Sequence, residues 1–162
     1  MKGFGMDQKK RRWIAACALI AYGALLIRLV VFKAIPVLQI GHIRLKFNHQ
    51  HTGPSNLILF KTIWPSLSGG ENHLITMVNL VGNIVPFMPV GFLALVIYPR
   101  MTWQKSLALA IAVGLAMEVM ELVFRVGIFD VDDIILNAFG VMLGYGLFAI
   151  FNRRAQTHLQ SS

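Results

Sequence analysis

Four stretches of this 162-residue chain are apolar over about the length a helix needs to cross a bilayer, and no other feature narrows the fold so far. A hydrocarbon core of ~30 Å takes about 20 residues of helix, because each residue advances only ~1.5 Å. The stretches are Trp13–Phe32, interrupted by Arg28; Leu74–Tyr98, carrying Asn79, Asn83, Pro86 and Pro89; Ser106–Phe124, with Glu118 and Glu121 near its end; and Ile134–Phe151, with Asn137, Gly140 and Gly144. The expected fold is all-α: one polytopic helical membrane domain of about four transmembrane helices over residues 1–162. Between the first two runs, Lys33–His73 is mixed in composition. Within it Asn56–Trp64 is apolar but too short to span, and reads as an interfacial or re-entrant segment ending at Trp64-Pro65, since Trp favours the membrane interface.

Charge supports the same class. Charged residues make up 14% of the chain and hydrophobic ones 56%, whereas soluble domains run at about a quarter charged. The net charge of +8 comes from Lys and Arg flanking the apolar runs, where they set topology and meet anionic lipid. No nucleic-acid-binding motif accompanies them, so membrane lipid is the expected partner and nucleic acid is not. Lys9-Lys10-Arg11-Arg12 precedes the first run as in a signal peptide. That run is too long for one and lacks a small-x-small cleavage site, so it reads as a retained helix. Cys17, the single cysteine, reads as a buried, inert thiol.

Basic residues also set the orientation. With a cytoplasmic N-terminus, the inner segments hold Lys2, Lys9, Lys10, Arg11, Arg12, Arg100, Lys105, Arg153 and Arg154, nine of the fifteen. The outer segments hold five: Lys33, Arg44, Lys46, Lys61 and Arg125. The positive-inside rule then places both termini in the cytoplasm. It also brings polar residues far apart in sequence to one depth on the outer side. Asn79 and Asn83 lie at the outer end of the second helix, and Glu118, Glu121 and Arg125 at that of the third. Asp130, Asp132 and Asp133 occupy the loop that follows, and Asn137 opens the fourth helix.

Spacing groups these residues on helix faces. Glu118, Glu121 and Arg125 stand at i, i+3 and i+7 of one face, with Glu121 and Arg125 spaced as an ion pair. Asn79, Asn83 and Pro86 share a face of the second helix, as do Asp133, Asn137, Gly140 and Gly144 of the fourth. Ionisable groups inside a membrane cost about 2.5–3.5 kcal/mol each on insertion scales, so they face partners or water. Glu118 and Asp133 are the candidate catalytic groups, with Asn79, Asn83, Glu121, Arg125, Asp130 and Asn137 as binding groups. Asp130 or Asp132 would also cap the fourth helix. Pro86 and Pro89 predict a break in the second helix, and Gly140-x-x-x-Gly144 predicts close helix packing. The histidines His42, His49, His51 and His73 lack carboxylate or thiol companions at ligand spacing, so no metal site is assigned. No cofactor follows from the residues.

The pattern Asn79-x-x-x-Asn83-Ile84-Val85-Pro86-Phe87-Met88-Pro89-Val90-Gly91-Phe92, followed by Glu118, Arg125 and Asp130-x-x-Asp133-x-x-x-Asn137-x-x-Gly140-x-x-x-Gly144, resembles the VanZ-like family of bacterial membrane proteins. Asn56-Leu57-Ile58-Leu59-Phe60 is similar to that family's N-L-I-P-F segment, with Leu59 where proline is usual. Glu121 stands where the family usually has glutamine, adding a charge beside the cluster. The resemblance covers roughly residues 55–150. It implies a multi-pass protein of the bacterial cytoplasmic membrane associated with resistance to glycopeptide antibiotics, teicoplanin above all. A lipid-linked envelope component is the partner expected on this reading. Two alternatives stay open: an enzyme in the strict sense, or a structural protein whose polar cluster only locks helices together. Transport is a further alternative that would require oligomers.

Overall fold

A computed structural model of the chain describes residues 7–30, 38–40, 43–45, 55–61, 63–64 and 73–160. Helix α1 spans Gln8–Val30; β1, Leu38–Ile40, pairs antiparallel with β2, Ile43–Leu45, in the register Leu38 to Leu45 and Ile40 to Ile43. Helix α2, His73–Ile84, runs through a 3-10 turn at Val85–Phe87 into α3, Met88–Ile97; α4 spans Trp103–Val123 and α5 Val131–Gln160. Among the described residues four stretches are long and apolar enough to cross a membrane: Gln8–Leu29, Leu80–Ile97, Trp103–Val123 and Val131–Asn152. The protein is thus a polytopic all-helical membrane protein, to which the small hairpin in the first loop is an addition the sequence did not announce.

Helix α5 is the centre of the bundle. It packs against α4, α3 and α2, while α1 leans on α3. The core is thin, with Phe87, Val90, Ala110, Met117 and Val141 at its middle. Large apolar side chains instead cover the outside. On α4, Leu107, Ile111, Leu115, Val119 and Leu122 form an exposed stripe, while Ser106, Ala110, Gly114, Met117 and Glu118 face inward. In water such a surface would drive aggregation; on helices of membrane length it is the lipid-facing side. Cys17 belongs to that outer surface, being exposed on α1, and not to the core as its apolar surroundings suggested.

Two local features fix how the helices meet. Pro86 and Pro89 each lack an N–H, so the second span cannot continue as uninterrupted α-helix and tightens into the 3-10 turn. The Pro86 carbonyl accepts a hydrogen bond from the Tyr22 hydroxyl at 2.7 Å, tying α1 to the break. Glycines then let α5 approach that break closely. A Cβ on Gly140 would run into the Ile84 carbonyl and Phe87, one on Gly144 into the Met88 carbonyl, and one on Gly91 of α3 into the Val141 carbonyl. The three glycines form one seam, the close packing that the Gly-x-x-x-Gly spacing implies.

Candidate functional site: a buried polar cluster at one end of the bundle

Helix α4 ends at Val123, and the chain turns back on itself to start α5. The Val126 N–H donates to the Glu121 carbonyl at 3.0 Å and the Arg125 N–H to the Leu122 carbonyl at 3.2 Å, with Arg125 in the left-handed region at φ 55°. This is the Schellman ending, with arginine where glycine is usual. It overturns the expected face of Glu118, Glu121 and Arg125: the helix stops two residues too early, and the exposed Arg125 makes no ion pair with Glu121. Glu121 folds toward Gly127 instead, where a Cβ would meet its carboxylate.

The returning chain delivers Asp130 beneath the end of α4. Its N–H donates to Glu118 Oε2 at 2.8 Å, and both groups are buried. Asp130 caps α5, because its Oδ1 accepts the Asp132 N–H at 2.9 Å. The same carboxylate receives Asn56 Nδ2 at 3.1 and 3.2 Å. Around that contact the backbones pair as a short parallel bridge, Asn56 N–H to the Phe129 carbonyl at 2.8 Å and Val131 N–H to the Asn56 carbonyl at 3.1 Å. Asp132, fully buried, accepts the Phe60 N–H at 2.6 Å and the Ile63 N–H at 3.3 Å. Residues 55–61 and 63–64 are thereby fastened across the end of α5, with Leu57, Ile58, Leu59, Phe60 and Trp64 exposed as an interfacial segment would have them.

Asp133 points the other way, toward the second span, where its Oδ1 accepts Asn83 Nδ2 at 2.6 Å. Asn79 lies one turn earlier on α2, with its side chain outside the described residues. One turn further into the bundle, Asn137 is 2% exposed, and among the described residues its Oδ1 meets no hydrogen-bond partner. The structure therefore gathers Glu118, Asp130, Asp133, Asn83 and Asn137 at one end of the helices, while Arg125 stays on the surface. It adds Asn56 and Asp132, which helical spacing could not single out because their partners lie about seventy positions away in sequence. Among the described residues no three His, Cys, Asp or Glu side chains are placed to share a metal ion. His42, His49 and His51 lie outside the described residues.

Membrane-length helices closed at one end by buried carboxylates and amides define a multi-pass membrane protein with a polar site among its helix ends. The VanZ/LLP1 family model matches residues 19–152, and the chain belongs to that family. It is 27% identical over 75 residues to Protein VanZ of Enterococcus faecium, a match covering 46% of this chain and 47% of that protein. The chain thus aligns with about half the length of the curated relative it matches. No solved structure matches it.

Proposed function

We propose that this protein is a bacterial envelope protein whose polar cluster faces outward and binds, or helps to modify, a lipid-linked envelope component, and so lowers susceptibility to glycopeptides such as teicoplanin. The observation that carries the reading is Asn137. An amide oxygen buried without a partner costs about 1–3 kcal/mol, and here it lies one turn below Asp133, inside the bundle. A ligand carrying hydroxyl or amide groups would meet Asn137 and, one turn nearer the start of α5, Asp133. Glu118 and Asp133 supply carboxyl groups, and Asn83 holds Asp133 in place. The resistance association comes from the family resemblance and the name of the enterococcal relative.

A second reading has its own support. Glu118, Asp130, Asp132 and Asp133 each accept hydrogen bonds from the chain itself, as members of a structural lock would. Asp133→Asn separates the two. The substitution keeps an oxygen for Asn83 and removes only the charge. On the ligand reading, membranes contain normal amounts of Asp133→Asn protein by quantitative immunoblot, while teicoplanin susceptibility rises to that of host cells lacking the gene. Full resistance at normal abundance would remove Asp133 from the site, and activity that falls only with abundance across Asp133 and Glu118 variants would establish the lock.

A further inference from the structure

At the opposite end of the bundle from the acidic cluster, an open cavity of about 660 Å³ lies where α1 begins, α3 ends and α4 begins. Gln8 and Arg12 line it from successive turns of α1, Tyr98, Arg100 and Met101 from the turn joining α3 to α4, and Lys105 from the first turn of α4. Three elements thus each contribute a cation to one concave surface, and none of the described lining residues is acidic. Arg12, Arg100 and Lys105 make no ion pair among the described residues. Asp7, the carboxylate closest in sequence, caps α1 by accepting the Lys9 N–H at 3.3 Å.

The surroundings place this cavity at the membrane boundary. The spans Gln8–Leu29 and Trp103–Val123 start at it, and Leu80–Ile97 ends beside it. Tyr98 and Trp103 stand exposed there, as aromatic residues do at headgroup depth. Two helices direct their N-terminal ends, with partial positive charge, to the same side. From this geometry we infer a binding site for a phosphate-bearing anion, the headgroup of an anionic phospholipid being the source that headgroup depth favours. Guanidinium groups match phosphate oxygens in pairs, and a volume of this size suits a headgroup and its glycerol. The site is separate from the polar cluster and stands or falls independently of what that cluster does.

The test uses the full chain in nanodiscs, either of phosphatidylcholine alone or with one-fifth phosphatidylglycerol, reading retained lipid by native mass spectrometry and stability by thermal melting. A pocket triple, Arg12→Gln, Arg100→Gln and Lys105→Gln, is compared with a flanking triple, Lys9→Gln, Lys10→Gln and Arg11→Gln, which removes the same charge outside the cavity. Phosphatidylglycerol retention should fall about fivefold for each cation removed in the pocket triple. It should change little in the flanking triple. A parallel arm adds inorganic phosphate to phosphatidylcholine discs: a melting shift lost only in the pocket triple would assign the site to free phosphate in place of lipid. Equal losses in the two triples would reduce the effect to diffuse surface charge and overturn the site. So would an absence of both phosphatidylglycerol preference and phosphate response. Melting of both triples near the parent temperature establishes that the variants are folded.

Discussion

Arg125 occupies a backbone conformation that suits glycine. At φ 55° its Cβ crowds the following carbonyl, a strain of roughly 1–2 kcal/mol for an L-residue, and its exposed side chain recovers none of this through an ion pair among the described residues. Arg125→Gly should therefore raise stability by about 1 kcal/mol, seen as a higher melting temperature of the detergent-solubilised protein, with Arg125→Ala close to neutral. A clear loss of stability in Arg125→Gly would mean that the guanidinium does hold the turn. The same residue shows where sequence reading runs out. Glu121 and Arg125 have ideal ion-pair spacing only if the helix continues, and nothing local announces that it ends at Val123. Gly127, the first residue to suggest a stop, comes four positions later. Asp132 escaped for a different reason. Its helix-start role was legible, but its carboxylate serves backbone N–H groups of residues 60 and 63, and backbone donors leave no mark in the side-chain pattern.

At the scale of elements, the spans and the break were readable because each rests on a local rule. Twenty apolar residues in a row have few other fates, and two prolines three residues apart cannot sit in an unbroken helix. The Gly140 and Gly144 spacing was readable too, though its target was not: α5 lies against the broken part of the second span, at Ile84, Phe87 and Met88. That placement explains how α5 can bring Asp133 beside Asn83, since the seam, starting about two turns beyond Asp133 on α5, sets the separation of the two helices. Gly140→Ala and Gly144→Ala should each cost about 1–3 kcal/mol, because the added methyl meets backbone that cannot retreat. Gly146→Ala, with open space around its Cβ, supplies the control and should leave melting unchanged or slightly raised. If all three alanines behaved alike, the seam would not be what positions the polar cluster. The hairpin β1–β2 had no such rule behind it, as Leu38–Ile40 and Ile43–Leu45 are too short for alternation to stand out.

For the whole molecule, the two ends are chemically opposite. One gathers Glu118, Asp130, Asp132 and Asp133, with residues 55–61 fastened to Asp130 and Asp132, and the other gathers Arg12, Arg100 and Lys105 around a cavity. The shared cavity places the start of α1 and the turn between α3 and α4 on one side, and the Asn56 bridge places residues 55–61 and the start of α5 on the other. The sidedness relative to the cell then rests on nine basic residues against five, a bias of the kind that fixes orientation when the loops are short. Alkaline phosphatase fused within residues 45–55 should therefore be active, as an enzyme that matures only outside the cytoplasm. The same reporter after Arg154 should be inactive, where a fluorescent protein fused at that point should glow. The reverse pattern would leave the helix packing intact but turn the acidic cluster toward the cytoplasm. An antibiotic acting at the outer surface could not then meet what the cluster binds, and the proposed function would fail with the orientation.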